Sequence, residues 1–292
     1  MDFKTFLNRI KEIIDAGFTD GTMLEYKEII KNNGVEATGA VLRHAEGIGN
    51  SSMVYVDPIY QMMGADEADP ELAAQLIAMH LSSEVPTELS QFELENWEEM
   101  RGRIILRIIG LESNRERLEG LVYREFLDMA ITCCIYFSGE VIGHGITEIT
   151  HGMTEEWGVT DEEIFRAAEE NTPKLLPATL KTLKEASGVS EESEDEGSLD
   201  RLFVLSNESI ICGASAMLYS DSMKKLSERY SCDLYILPTS LHEVILTPVE
   251  GADPEFLKNA LEGVNASEVP DEDILTGSLY RYYAAEDRIG FA

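Results

Sequence analysis

The dipeptide Asn33-Gly34 lies between two runs of strand-forming residues, 24–31 and 35–43. Both of its residues tolerate the positive φ angles of a type I′ turn, which joins antiparallel strands. A second hairpin is predicted around Ser138-Gly139-Glu140, between two further apolar runs. Strands joined by tight turns pair antiparallel, whereas a parallel sheet needs long crossover connections. The chain is therefore predicted to be an α+β protein.

An amphipathic helix is predicted before the first hairpin, with Gly17 as its stop. Its apolar residues recur at helical spacing: Phe3, Phe6, Leu7, Ile10, Ile13 and Ile14. Residues 53–57 predict a third strand, which gives an αβββ unit with one sheet face for the helix to cover. A capping box at Thr160 and Glu163 predicts a later helix. That helix should end near Asn171-Thr172-Pro173, because a residue before proline is pushed out of the helical region.

The C-terminal third predicts alternating strands and helices. From Ala214 onward the predicted elements are strand 214–218, helix 221–230, strands 234–237 and 244–247, helix 253–264 and strand 279–283. This βαββαβ order is compatible with a ferredoxin-like split βαβ lobe. The last strand reads Tyr280-Arg281-Tyr282-Tyr283, and at a sheet edge such a strand is a candidate surface for an extended peptide.

The stretch 190–200 is rich in Asp and Glu and has almost no apolar residue. A run of this composition does not pack and is solvated. A length of 292 residues fits two domains. We therefore expect an N-terminal α+β lobe over 1–189, an acidic linker over 190–200 and a C-terminal α+β lobe over 201–292.

Acidic residues limit the partners of this chain. It has 55 Asp and Glu against 23 Lys and Arg, a net charge of −32. That charge repels phosphate backbones, so protein is the expected partner and free nucleic acid is not. Mimicry of DNA by the acidic surface is a further hypothesis, and it rests on the net charge alone. The oligomeric state does not follow from the sequence.

The sequence favours a cytoplasmic location. Its first residues have no secretory pattern, and its most apolar stretch, 129–137, is too short to cross a membrane. The four cysteines show neither CxxC spacing nor the density of a disulfide scaffold, which predicts reduced thiols. No GxxxxGK[ST] or GxGxxG motif occurs, so no cofactor is predicted.

Ser240, His242 and Glu243 are the strongest candidates for catalytic chemistry. A histidine next to a carboxylate at the start of a strand can act as a base. Ser240 would share a strand face with His242, while His242 and Glu243 would point to opposite faces. No GxSxG turn accompanies them, so a structural role at the strand start competes with a hydrolase site.

His144, Glu148 and His151 form a second cluster within eight residues. On a strand, His144 and Glu148 lie on the same face, so the carboxylate can orient the imidazole as in a metal site. The cluster lacks the three or four ligands at recognisable spacing that a metal centre needs. We therefore predict no bound metal, and these residues are the candidate ligands if one binds.

Three segments carry a family resemblance. They read KNNGVEATG over 31–39, EEWGVTDEEIFRAAEENTPKLLP over 155–177 and CGASAMLYSDSMKKLSERYSCDLYILPTSLHEVILTP over 212–248. Together they resemble a family of unknown function from gut clostridia, along nearly the whole chain. The WGVT and ILPTSLHEV segments are more distantly similar to a YtpQ-like family of Bacillus proteins. The resemblance implies a bacterial cytoplasmic protein and supplies no catalytic residues.

Two classes of function remain after this reasoning. The first is a non-catalytic protein-binding or regulatory module with a strongly acidic surface. The second is a hydrolase-like enzyme with an unrecognised site around Ser240, His242 and Glu243. The first is favoured because no spatially mandatory catalytic motif is present.

Overall fold

The computed structural model describes residues 1–44, 53–81, 94–139, 143–188 and 201–292. The chain forms two compact units, 1–91 and 92–292. Both combine helices with antiparallel sheets, so the predicted α+β class is confirmed. The predicted linker over 190–200 lies outside the described residues. No helix within the described ranges is both long enough and apolar enough to cross a bilayer.

The first unit is a three-stranded sheet with helices packed on one face. Its elements are α1 (Phe3–Asp15), β1 (Met23–Ile30), a 3-10 turn (Asn32–Gly34), β2 (Glu36–Arg43), β3 (Val54–Tyr55), α2 (Asp57–Met63) and α3 (Pro70–Leu81). Strands run antiparallel in the order β1-β2-β3, which confirms the αβββ unit. Phe6 and Ile10 of α1 are fully buried against Leu24 of β1. The hairpin closes through the 3-10 turn rather than a two-residue turn, and Asn33 and Gly34 both have positive φ.

The described residues of the second unit form two antiparallel sheets. Its helices are α4 (Trp97–Met100), α5 (Arg115–Leu118), α6 (His151–Trp157), α7 (Asp161–Leu175), α8 (Leu183–Ser187), α9 (Ala216–Tyr219), α10 (Ser222–Tyr230) and α11 (Pro254–Ser267), with 3-10 turns at Arg101–Arg103, Glu112–Asn114, Gly213–Ser215 and Asp271–Asp273. Its strands are β4 (Ile104–Gly110), β5 (Tyr123–Phe126), β6 (Met129–Gly139), β7 (Gly143–Glu148), β8 (Ala178–Thr182), β9 (Phe203–Asn207), β10 (Leu234–Leu237), β11 (Val244–Pro248), β12 (Tyr280–Tyr283) and β13 (Arg288–Phe291).

One sheet has the order β13-β12-β10-β11-β9-β8, and the other has the order β4-β6-β5 with β7 also paired to β6. The predicted hairpin of β6 and β7 is confirmed. A shared core joins the two sheets, and it includes Ile108, Met129, Leu205 and Leu234. Strands β8 and β9 pair with each other from the two sides of 190–200, so residues before and after that stretch lie in one sheet.

The predicted strand over 214–218 is wrong, because these residues form a 3-10 turn followed by α9. Ala216, Met217 and Leu218 are good helix formers, and helix propensity prevails in this short segment. Strand β9 takes the first place instead, so the βαββαβ order runs from β9 to β12. The last strand of this order lies beside β10. In a ferredoxin-like sheet it would lie beside the first strand.

Helix α7 confirms its predicted capping box and continues past its predicted end. Thr160 and Glu163 each accept a hydrogen bond from the other's backbone amide. Pro173 lies inside the helix, which ends at Leu175. Thr172 explains the extension, because its buried hydroxyl accepts a hydrogen bond from the Leu106 amide at 2.8 Å and donates one to Ala168. Packing on β4 thus outweighs the local effect of proline.

Candidate ligand-binding cleft

Ser240, His242 and Glu243 lie in the loop between β10 and β11, ahead of the strand that they were predicted to enter. The hydroxyl of Ser240 accepts a hydrogen bond from the backbone amide of His242 at 3.0 Å. The carbonyl of Glu243 accepts one from the Ser240 amide. Both contacts are typical of a tight loop, and in them the serine hydroxyl is bound to backbone rather than to the imidazole.

The imidazole of His242 faces a different partner. Its Nε2 lies 3.3 Å from Asp273 Oδ1, and its Nδ1 is buried without a hydrogen-bond partner among the described residues. The loop is attached to β9 as well, because the Ser206 hydroxyl donates to the His242 carbonyl at 2.7 Å. A Cβ at Gly213 would overlap that same carbonyl, so only glycine fits there. These contacts describe a closely packed loop.

The second predicted cluster does not converge on one point. His144 stacks on Tyr136, with ring centroids 5.8 Å apart and Nδ1 2.5 Å from the phenol oxygen. His151 is exposed, and its nearest carboxylate is Asp161 at 3.9 Å. The carboxylate of Glu148 forms ion pairs with two arginine side chains instead. Within the described part of the chain, no group of three His, Cys, Asp or Glu side chains is placed to hold a metal ion.

Glu148 joins two arginines in an ion cluster on the central sheet. Its Oε1 lies 2.5 Å from Arg107 Nη1, and its Oε2 accepts a hydrogen bond from Arg117 Nε at 3.0 Å. Arg107 is only 8% exposed. The thiols of Cys134 and Cys212 lie near Arg107, yet burial raises the pKa of both, that of Cys212 to about 11. Protonated buried thiols are poor nucleophiles, so this cluster favours a structural role.

A cleft of about 520 Å³ opens between β5, the α9–α10 segment and the β12–β13 hairpin. Its apolar surface comes from all three elements: Phe126, Met217, Leu218, Met223 and Ile289. Asp221 and Lys224 lie on the α10 side, and Asp287 and Arg288 lie on the hairpin side. A volume of this size and a lining that mixes apolar and polar side chains fit a ligand-binding site, and most of the open surface of the cleft is polar.

Hydrogen bonds fix the hairpin wall of this cleft. The Tyr282 hydroxyl donates to Asp287 Oδ1 at 2.5 Å. Burial, followed by this bond, raises the pKa of Tyr282, so the phenol keeps its proton. At the same end of β12, Asp233 forms an ion pair with Arg281 at 2.7 Å and accepts from the Ala284 amide at 3.0 Å. The hairpin is therefore tied to β10.

The other two walls are fixed as well. Asp128, next to β5, accepts hydrogen bonds from Thr276 and Ser278 at 3.1 and 2.6 Å, and from the Tyr280 hydroxyl. On the helical side, the Tyr219 hydroxyl donates to the Leu176 carbonyl at 2.7 Å. A cleft with all its walls fixed is formed before a ligand arrives, which lowers the entropic cost of binding.

The sequence did not predict this cleft, because its pattern assigned 214–218 to a strand and predicted no strand after Tyr283. The signals that could have found it are the helix formers Ala216, Met217 and Leu218, and the short run 288–291 after a turn. Asp221 was predicted as the start of a helix, and α10 does begin at Ser222.

The fold and the cleft are those of an α+β protein with a preformed binding site. The chain belongs to DUF5688, a family of unknown function whose model matches residues 3–284. No curated protein and no solved structure matches the chain.

Proposed function

We propose that the protein is a non-catalytic protein-binding or regulatory module with a strongly acidic surface, and that its cleft binds a segment of a basic partner protein. The observation that carries this proposal is the cleft itself, which has a mixed lining of apolar and polar side chains, a charged rim and walls fixed by hydrogen bonds. Apolar contacts supply affinity in such a site, while a few polar groups orient the ligand.

The charge of the chain selects the partner. At a net charge of −32, the protein attracts basic surfaces over long distances and repels both nucleic acid and other acidic proteins. Helix α7 contributes exposed carboxylates such as Asp161, Glu162 and Glu170. Asp221 and Lys224 are both exposed at the cleft rim, so a ligand can reach them.

The bacterial and cytoplasmic setting, the clostridial origin and the YtpQ-like relationship stay predictions from the sequence. The four cysteines are free thiols, which is compatible with a reducing compartment.

The alternative is a hydrolase around Ser240, His242 and Glu243. For Ser240 to act as a nucleophile, its hydroxyl would have to donate to the His242 imidazole, whereas in the structure it accepts a hydrogen bond from the His242 amide. A panel of esterase, phosphatase and peptidase substrates, compared between the protein and Ser240→Ala, tests this alternative. Turnover that Ser240→Ala abolishes would favour the enzyme.

Binding to defined peptides tests the module. The probes are fluorescein-labelled peptides that alternate lysine with valine, leucine or phenylalanine, and matched peptides with glutamate in place of lysine. We expect the basic set to bind and the acidic set not to bind in fluorescence anisotropy. Added salt should weaken binding, because it screens the attraction.

Two variants with the same charge change locate the binding site. Leu218→Lys places a cation at the base of the cleft and should weaken binding by about tenfold or more. Phe256→Lys changes an exposed residue of α11 that does not line the cleft, and should leave affinity within about twofold. Absence of binding by every basic peptide at millimolar concentration, or equal effects of the two variants, would overturn the proposal.

A further inference from the structure

The sequence made β12 a candidate surface for an extended peptide if it lay at a sheet edge, but β12 lies between β10 and β13. Among the residues that the structure describes, the edge belongs to β13, which pairs there with β12 on one side only. Strand edges carry unpaired backbone groups that can bind another strand. β13 also borders the cleft, since Ile289 lines it and packs on the main core. An open edge and a cleft with a mixed apolar and polar lining thus lie side by side.

The register of the hairpin shows which backbone groups face the open edge. Ala292 donates to the Leu279 carbonyl, and hydrogen-bonded pairs alternate with non-hydrogen-bonded pairs along an antiparallel ladder. Arg288 and Gly290 therefore bond to β12, opposite Tyr283 and Arg281. The amide and carbonyl groups of Ile289 and Phe291 consequently point outward.

One of these outward groups has a partner already. The Tyr283 ring lies beside Gly290, and its hydroxyl donates to the Phe291 carbonyl at 3.0 Å. Both backbone groups of Ile289 and the amide of Phe291 remain directed at the edge. The Phe291 side chain, 52% exposed, packs against the Tyr280 ring next to them, with the ring centroids 5.7 Å apart and the rings tilted. The edge therefore offers two donors, one acceptor and an exposed aromatic ring.

We infer that a basic partner segment binds by adding a strand to β13, with every second side chain entering the cleft. This inference rests on the proposed function and names its mode of recognition. Main-chain hydrogen bonds supply affinity in this mode, and pockets for alternate side chains supply specificity. A second copy of this chain is a poorer occupant, because two chains of net charge −32 repel each other.

Proline at Ile289 tests the edge within the intact protein. Ile289→Pro removes the outward amide and leaves the hydrogen bonds between Arg288, Gly290 and β12 intact. Ile289→Ala is the matched control, because it shortens the side chain and keeps the amide. We expect Ile289→Pro to bind the basic peptide about tenfold more weakly than Ile289→Ala does. Equal affinities of the two variants, with unchanged melting temperatures, would overturn the inference.

N-methylated peptides give a second test that leaves the protein unchanged. One peptide carries N-methyl groups on its apolar residues, and the other carries them on its lysines. An added antiparallel strand bonds through the apolar, cleft-facing residues, and a parallel one bonds through the lysines. We expect one methylated peptide to lose binding and the other to keep it. Equal behaviour of the two would overturn strand addition.

The outcomes separate the two proposals. If basic peptides bind and Leu218→Lys weakens their binding, while neither Ile289→Pro nor N-methylation changes their affinity, the cleft binds a partner without strand addition. If Ile289→Pro instead converts a dimer into a monomer in sedimentation analysis, the occupant of the edge is a second copy and the inference is wrong.

Discussion

The ion cluster at Glu148 and the hairpin wall of the cleft both contain arginine–carboxylate pairs, but they differ in burial. In the cluster, the side chains of Arg107 and Glu148 are 10% and 14% exposed. In the hairpin, the side chains of Arg288 and Glu286 are 52% and 57% exposed. A buried pair has lost its water, so each charge depends on its partner, whereas an exposed pair exchanges its partner for water at little cost.

This difference separates stability from binding. Glu148 is enclosed by Arg107 and Arg117 and has no free oxygen for a ligand, so changes there should alter folding. The rim of the cleft is hydrated, so changes there should alter partner affinity. Charge substitutions in the two regions can therefore test whether the regions have distinct roles.

The largest effect is expected at Glu148. Glu148→Gln keeps the shape of the side chain and leaves the buried guanidinium of Arg107 without a counter-charge, which should lower the free energy of unfolding by about 3–5 kcal/mol. Urea denaturation measures this loss in the free energy of unfolding. Glu286→Gln is the matched control in the exposed pair and should cause no measurable loss. Similar losses in the two variants would remove the distinction between the regions.

An intermediate effect is expected at Asp233, which anchors the cleft wall. Its hydrogen bond from the Ala284 amide, followed by Arg281, holds its pKa below the usual 3.8. A carboxyl group whose pKa is lower in the folded protein stabilises the fold at pH values above its pKa in the unfolded chain. This contribution is lost as the pH falls through the pKa that the group has in the folded protein. Asp233→Asn should therefore lose about 1–2 kcal/mol at neutral pH.

Urea unfolding at several pH values measures this difference. The gap between the protein and Asp233→Asn should stay constant from neutral pH to about pH 5 and shrink below about pH 4. Glu262→Gln, at an exposed position of α11, is the control for the general effect of acid on a chain of net charge −32. A gap that persists at pH 2 would show that Asp233 acts through packing alone.

The sequence predicted the elements that depend on local signals. Asn33-Gly34 forms a turn because its residues accept positive φ, and Thr160 caps a helix through its own hydroxyl. Pro173 was misread because the contact that keeps it in a helix, from Thr172 to Leu106, spans 66 residues. Strand β13 has four residues, too few for an alternating pattern to indicate it.

The candidate site was harder to predict for the same reason. The cleft joins Phe126, Met217 and Ile289, and no local spacing relates residues that far apart in the chain. His242 and Glu243 attracted attention because neighbouring polar residues are easy to see in a sequence. Their contacts, by contrast, depend on β9 and on the turn at Asp273.

The smallest effect is expected at His242, and it separates the loop from the cleft. Its side chain is 39% exposed, so the interaction with Asp273 is screened by solvent and should contribute no more than about 1 kcal/mol. His242→Ala should accordingly unfold at a slightly lower urea concentration and bind the basic peptides as the unmodified protein does. Ser240→Ala, which loses the hydrogen bond to the His242 amide, is the comparison within the same loop. Unchanged stability together with lost binding or lost turnover in His242→Ala would move the functional site from the cleft to this loop, because residues of a functional site are often neutral for stability.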